Sequence, residues 1–290
     1  MNLTLRQLRL FEAIARLGQL TRAANEQAIS QSAASQALRE LETALGYPLF
    51  HRVGRELVIT DAGRDALTRV EQMLELADSL RDPSGSSMSG SLRIAASVTI
   101  ASYLLPALVG EFVAQNPGVE PDIRIVNTDD VIRELEQGWA HIGLIEGPAT
   151  HRQLQVIPWR SDRLVVFCLP DHTLAQAPDI GLAQLATERW ILREEGSGTR
   201  NVFDTAVQLA GFEPHIALEL NRQEAIKQSV RAGLGLGCLS ELSVANEVRR
   251  GEFKILNTPL QLDRTLSLVC WPAFSTRALT RAAAEYILQH

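Results

Sequence analysis

Cysteine is scarce in this chain of 290 residues, with three in all. Cys168, Cys238 and Cys270 stand far from one another and from any closely spaced histidine. That excludes a disulfide framework and a zinc site, and it leaves small buried residues in or near strands as their expected role. No apolar run approaches the roughly 18 residues of a membrane span, so no membrane association is expected. The polar start Met1-Asn2-Leu3-Thr4-Leu5-Arg6 carries no signal peptide and predicts a cytoplasmic protein. The histidines at 51, 141, 151, 172, 215 and 290 fit no nucleophile or metal pattern, and no serine stands in a G-x-S-x-G elbow. An enzyme with a regulatory N-terminus is therefore the weaker alternative, and neither cofactor nor metal is expected. Basic charge is missing too: the formal net charge is -6 and the pI about 5.6, which taken alone argues against nucleic acid. From Met1 to Asp65, however, eight Arg face seven Asp or Glu, so the acidity lies mainly in the rest of the chain.

What is present begins at Leu20. A short Ala-rich helix, the turn Ala28-Ile29-Ser30, a second helix, then Pro48-Leu49-Phe50-His51-Arg52 and Thr60-Asp61-Ala62-Gly63 read as a winged helix-turn-helix. Successive helical residues turn by about 100°. Ala34, Ala37, Leu38, Leu41 and Leu45 therefore share one side of the second helix, and Ser32, Ser35, Gln36, Arg39 and Thr43 the opposite one. Hydroxyls, an amide and a guanidinium suit the donor and acceptor patterns of base edges in the major groove. An ordinary solvated face is the competing reading; Ser30 as N-cap and the basic hairpin that follows weigh against it. That hairpin runs from Arg52 to Thr60, with Val53-Gly54-Arg55 as its tip. Arg52 and Arg55 stand where a wing meets phosphates, with a solvated surface role equally open to each.

These motifs carry a resemblance. Leu3-Thr4-Leu5-Arg6-Gln7-Leu8 with Phe11, Thr21-Arg22-Ala23-Ala24, Ser30-Gln31-Ser32-Ala33-Ala34-Ser35, Leu41-Glu42 and Leu45-Gly46-Tyr47-Pro48-Leu49-Phe50 are similar to the LysR-type transcriptional regulators. The resemblance implies base contacts from Gln31, Ser32, Ser35, Gln36 and Arg39 and backbone contacts from Arg52 and Arg55. It implies a homodimer or homotetramer on an interrupted inverted repeat of double-stranded DNA, activation of target promoters as the usual mode, and RNA polymerase as a further partner. One departure stands out: Gln27 and Ala28 occupy the place where the family commonly has Leu followed by a polar or small residue.

The length suggests two domains. Residues 1–60 read as the DNA-binding domain and 61–82 as a linker helix capped by Thr60 or Asp61. Ala66, Val70, Met73, Ala77 and Leu80 recur in that helix at a/d-like spacing. The stripe serves either a partner helix or packing within its own domain; the resemblance favours the partner. Residues 83–90 are small, polar and breaker-rich, a flexible linker. Residues 91–290 alternate apolar runs with helical segments, an α/β pattern: a strand over Leu92–Ala96, a helix from about Ile100 to Gln115, a strand over Asp122–Val126, a helix over Asp129–Gln137 and a strand over Ile142–Ile145. A weak repeat aligns Val126-Asn127, Asp129-Asp130, Ile132-Arg133, Gly138 and Ile142-Gly143-Leu144-Ile145 with Leu220-Asn221, Gln223-Glu224, Ile226-Lys227, Gly233 and Leu236-Gly237-Cys238-Leu239. Two similar lobes would produce it, and chance likeness between βαβ segments is the competing account. The family resemblance implies a two-lobed effector domain like a periplasmic binding protein. Its first lobe would hold 91–160 plus 266–290, and its second 161–265.

Three loops lead from a strand into a helix, where free N–H groups can meet a ligand. They are Ser97-Val98-Thr99 with Ser102, Gly196-Ser197-Gly198-Thr199-Arg200, and Asn221-Arg222-Gln223. Facing one another they would form a donor-rich pocket for a small anion or carboxylate. The candidate effector residues are Ser97, Thr99, Ser102, Gly196, Ser197, Thr199, Asn221 and Gln223. For Ser97 and Thr99 plain N-capping is the alternative; for Arg200, a pair with Glu194 or Glu195. The segment from Leu192 to Arg200, with Glu224-Ala225-Ile226-Lys227 and Gly233-Leu234-Gly235, resembles the branch that regulates sulfur assimilation and carbon fixation. That resemblance implies a small sulfur oxyanion, a cysteine precursor or a phosphorylated metabolite as effector. The absence of a Lys or Arg cluster favours sulfite or sulfate. Glu146, at a predicted strand end, either lines the same cleft or faces water or the hinge.

Overall fold

The computed structural model describes residues 3–53, 56–79, 88–149, 151–177, 179–272 and 278–290. The N-terminal part comprises α1 (Leu5–Leu17), α2 (Leu20–Glu26), α3 (Gln31–Leu45), the hairpin β1 (Phe50–Val53) and β2 (Glu56–Ile59), and the long α4 (Asp61–Ser79). Thr4 opens α1 through a capping box with Gln7, and Gly18 closes it at φ 66°. Ser30 caps α3, its hydroxyl accepting from Ala33 N at 3.2 Å. Phe11, Ile14, Ala34, Leu38, Leu41, Leu49, Phe50 and Ile59 form the core, with Phe11 and Phe50 edge to face at 5.5 Å. Between α2 and α3, Ala28 takes φ +52°, a left-handed conformation costly for a residue with a Cβ.

Two expectations change in this part. Val53 pairs with Glu56, so Val53 belongs to the strand rather than the hairpin tip; Gly54 and Arg55 lie outside the described residues. In α4, Ala66 and Val70 are buried in the core of their own domain, so that half of the stripe is not open to a partner. Met73 is exposed, and Leu80 lies outside the described residues.

The remainder is α/β. In chain order it runs β3 (Ser89–Ser97), α5 (Val98–Tyr103), α6 (Leu105–Gln115), β4 (Gly118–Val126), α7 (Thr128–Glu136), β5 (Ile142–Glu146), β6 (Gln155–Cys168), α8 (Leu182–Thr187), β7 (Arg189–Arg193), α9 (Gly198–Ala210), β8 (His215–Leu220), α10 (Gln223–Arg231), β9 (Leu236–Ser240), α11 (Glu241–Arg249), β10 (Lys254–Leu256), β11 (Asp263–Cys270) and α12 (Ala278–Gln289). Ser89 and Gly90, read as linker, are already strand; 83–87 lie outside the described residues. The helix expected from Ile100 to Gln115 is two helices. Pro106, just inside the start of α6, has no N–H to continue the ladder, and Leu104 turns the chain between them.

Strand order is β4-β3-β5-β11-β6-β9-β7-β8, with β10 beside β6. At one end β4, β3 and β5 are parallel; at the other β8, β7 and β9 are parallel. The antiparallel β11 and β6 run between them. The repeat seen in sequence is thus β4-α7-β5 and β8-α10-β9. Apolar clusters around Leu92, Ile94, Ile142 and Leu268, and around Trp190, Phe203, Val166 and Leu236, fill the two ends separately. That leaves the carboxyl ends of the parallel strands to meet across a polar seam, the place where open α/β sheets hold ligands.

Candidate functional site

On α3, Gln31, Ser32, Gln36 and Arg39 are exposed and Ser35 is half-buried, while Ala34, Leu38 and Leu41 face the core. The two faces inferred from angle are therefore distinct. Some of the reading groups are engaged: Gln36 Nε2 donates to Glu40 Oε1 at 2.9 Å, and the Ser30 and Ser32 hydroxyls lie 3.0 Å apart. Arg52 is exposed on β1; Arg55 lies outside the described residues. The hairpin is fixed to the head by Leu57 N donating to Gly18 O at 3.0 Å.

The polar seam centres on Glu146, at the end of β5 and 1% exposed. Its Oε1 accepts from Thr99 N at 2.8 Å. Its Oε2 accepts from Thr199 Oγ1 at 2.9 Å and from Arg264 Nη1 at 2.7 Å. Arg264, on β11, also reaches Thr199 Oγ1 at 2.9 Å and pairs with Asp162 Oδ2 of β6 at 2.7 Å, and Ser240 Oγ donates to Asp162 Oδ1 at 2.8 Å. Gln223 Nε2, from α10, donates to Thr99 Oγ1 at 2.8 Å and so ties the two ends of the sheet together. Gly198 makes the close approach feasible. A Cβ there would lie 1.9 Å from Glu146 O, so only glycine lets α9 abut β5.

Burial alone would push the Glu146 carboxyl up; the Arg264 guanidinium, with the nearby Ser97 hydroxyl and the Thr99 backbone N–H, outweighs it and holds the group down at about 2. Glu146 is thus ionised, and with Asp162 and Arg264 it gives the seam a formal charge of about -1. Ser97 Oγ, 2% exposed as a residue, has no partner in hydrogen-bonding geometry although it lies near enough to steady the carboxylate. It does not cap α5, and Thr99 spends its hydroxyl on Gln223 rather than on capping.

The seam therefore brings Ser97, Thr99, Thr199 and Gln223 together, with Ser197 buried beside them as the N-cap of α9. Ser102 and Asn221 are exposed and stand outside this network: Ser102 lies further along α5, and Arg222, not Asn221, is the N-cap of α10. Gly196 takes φ +80° and faces Asp129, serving a turn. Arg200 pairs with Asp204 and Glu219, at 2.9 and 2.8 Å, instead of Glu194 or Glu195; Glu194 pairs with Arg193. Arg264 and Asp162 escaped the sequence reading. Neither stands out in sequence, because Asp162 lies between Arg160 and Arg163 in β6 and Arg264 follows Asp263 at the start of β11. The three cysteines are buried, with thiols pushed by burial to about 12.

Among the described residues no group of side chains could hold a metal ion, and no helix is long and apolar enough to cross a membrane. Residues 5–64 match the bacterial regulatory helix-turn-helix protein, lysR family, and residues 85–290 match the LysR substrate binding domain. The chain is 40% identical over 273 residues to the uncharacterised HTH-type transcriptional regulator YeiE of Escherichia coli K12, covering 92% of this chain and 90% of that one. It is 36% identical over 247 residues to a RuBisCO operon transcriptional regulator of Allochromatium vinosum, covering 83% and 80%. The solved regulatory domain of CcmR from Synechocystis PCC6803, in complex with 2-PG, superimposes with a TM-score of 0.64 at 28% identity, covering 69% of this chain and 97% of that one. A DNA-binding head with two distinct faces on α3, a two-ended sheet with a polar seam, and matches to both domain models lead to one assignment: the chain belongs to the LysR family of transcriptional regulators.

Proposed function

We propose that this regulator senses a small oxyanion, sulfite in preference to sulfate, in the seam between the two ends of the sheet. The carrying observation is Glu146. A carboxylate already sits among a backbone N–H, a threonine hydroxyl and a guanidinium, which are the donors an oxyanion requires. Ser97, Thr99, Ser197, Thr199 and Gln223 line that position. The described state is closed, and entry of a ligand requires Gln223 and Thr99 to part. An ionised Glu146 beside the site repels a fully charged anion but accepts a hydrogen bond from one that keeps a proton. Hydrogen sulfite does so near neutral pH, and sulfate does not.

The output side follows from the head. Gln31, Ser32, Ser35, Gln36 and Arg39 read bases and Arg52 meets the backbone, with two copies or four occupying the halves of an interrupted inverted repeat in the cytoplasm. The reading is of an activator that contacts RNA polymerase. A head with a charge of about +1 gives modest, salt-sensitive affinity per copy.

The test is a calorimetric panel on the full chain: sulfite, sulfate, thiosulfate, O-acetylserine, phosphate and common carboxylates. Sulfite should bind and sulfate more weakly, and Glu146→Gln should reverse their order. If only sugar phosphates or aromatic acids bind, or if the substitution leaves the order unchanged, the reading fails.

A further inference from the structure

We propose that a buried ionic cluster around Arg93 latches the DNA-binding head to the effector domain within one chain, and that the seam controls this latch through two adjacent strands. Arg93, on β3 and 3% exposed, places its guanidinium between parts of the chain far apart in sequence. Nε donates to Trp139 O at 2.6 Å. Nη1 meets Glu12 of α1. Nη2 meets Glu71 of α4 at 2.7 Å. Glu12 is also paired with Arg16, at 3.2 Å, and His141 Nε2 lies 3.6 Å from Glu71. Arg64 of α4 adds a second tie, donating to Glu136 O at 3.0 Å.

The position of this cluster gives it an input. β3 and β5 are parallel neighbours, Ile94 against Ile142 and Ala96 against Leu144. At their start, Arg93 N donates to His141 Nδ1 at 3.1 Å and His141 N to Arg93 O at 2.9 Å. At their end they deliver Ser97, Thr99 and Glu146 to the seam. Ser97 lies four positions beyond Arg93 and Glu146 five beyond His141, about 13 and 17 Å at roughly 3.3 Å per strand residue. A shift at the seam is therefore carried by stiff hydrogen-bonded strands to the Arg93 guanidinium, which holds α1 and α4. Beside the cluster a cavity of about 580 Å³ lies between α4 and the effector domain, lined by Leu67, Thr68, Glu71, His141 and Trp271 among others. On that side the ion cluster, rather than a packed apolar face, fixes the helix, so loss of its charge pairs frees the attachment to move. The input side rests on the reading of the seam given above; the latch itself does not.

The experiment uses the full chain with Asn25→Cys in the head and Glu285→Cys on α12, both exposed positions, carrying spin labels and diluted into unlabelled chain. The native thiols are buried and do not take the label. Ligand-free wild type should give one narrow head-to-domain distance distribution. Arg93→Gln should broaden it, and so should Glu12→Gln, which leaves Arg93 with Glu71 and Arg16 with Glu26 and so spares the fold. Glu146→Gln, a perturbation at the seam alone, should shift the distance in the wild-type background and leave it unmoved in the Arg93→Gln background. Equally narrow distributions in Arg93→Gln and Glu12→Gln would overturn the latch; an equal Glu146→Gln shift with and without Arg93 would overturn the coupling. Sulfite affinity, measured separately by calorimetry, should differ between Glu12→Gln and wild type within the about 5- to 150-fold range of allosteric couplings, because a seam that moves the latch is moved by it to the same extent. Identical sulfite affinity in the two proteins would overturn the coupling. Absence of sulfite binding in wild type would overturn the effector reading and leave the distance result to decide the latch.

Discussion

Replacing Glu146 by Gln should destabilise the effector domain by about 3 kcal/mol at neutral pH. The carboxyl falls from 4.5 to about 2 in the folded protein, and at about 1.4 kcal/mol per tenfold change in acidity that is about 3 kcal/mol favouring the folded state with the group ionised. Gln keeps the shape but presents an N–H₂ where Oε1 or Oε2 accepted hydrogen bonds, so a donor now meets Thr99 N or Thr199 and Arg264. Arg264 retains Asp162 at 2.7 Å, which keeps the loss at the low end for a broken buried pair, about 3–5 kcal/mol. All four tryptophans, Trp139, Trp159, Trp190 and Trp271, lie in the effector domain, so urea unfolding followed by tryptophan fluorescence reads that domain by itself. The pH dependence supplies an independent check. A depressed carboxyl contributes stability that is complete above about 4.5 and lost as pH falls towards 2, so the gap between wild type and Glu146→Gln should be constant at neutral pH and shrink across that window. Equal urea midpoints at neutral pH, or a gap that widens on acidification, would refute the account of Glu146 as an ionised, donor-held carboxylate.

Relief of the strained turn is expected from Ala28→Gly. The left-handed conformation costs a residue with a Cβ about 1–2 kcal/mol, and after glycine's greater entropy loss the head should gain about 0.5 kcal/mol, read from its thermal unfolding by far-UV circular dichroism. Gly198→Ala places a Cβ 1.9 Å from Glu146 O and 2.8 Å from Thr128 Oγ1; it should cost at least about 1–3 kcal/mol by fluorescence-monitored denaturation, whereas Gly211→Ala meets no atom within 4 Å and suffers only its φ of +78°. Gln36→Ala and Arg39→Ala should each weaken specific operator binding by about 1–3 kcal/mol if they make bidentate base contacts; unchanged affinity in a gel-shift titration would remove that residue from the reading face. Thr199→Val keeps the volume but removes the hydroxyl between Glu146 and Arg264, and sulfite affinity by calorimetry should fall about ten-fold or more for the lost hydrogen bond.

The head was legible because its information is local. Amphipathic angle, Ser30 as N-cap and the Gly-containing hairpin each act within a few residues, and a family with ordered motifs adds to them. Ser97, Thr99 and Thr199 were reachable because a strand followed by a hydroxyl residue and a helix start is also a local pattern. Arg264 was not, since its meaning depends on a pairing with Glu146 across 118 residues, set by the antiparallel pairing of β11 with β5. The alternative raised for Arg200, a pair with Glu194 or Glu195, gives way to Asp204, one helical turn on and so within reach of a local pattern, and to Glu219, which is near only in space. Ala66 and Val70 show the limit of periodicity, because one stripe fits a partner helix and a neighbouring helix equally well, and α1 was the element that claimed it.

The buried cysteines have a consequence for how such a sensor resets. With thiols at about 12, only about one in 10⁵ is ionised at pH 7, and thiolate is the reactive form. If sulfite is the ligand, as proposed above, the seam offers it hydroxyls, amides, a guanidinium and a carboxylate, none of which it attacks. Its binding would leave no covalent mark, and the signal would decay as the ligand diffuses away, without a reductase to restore the protein.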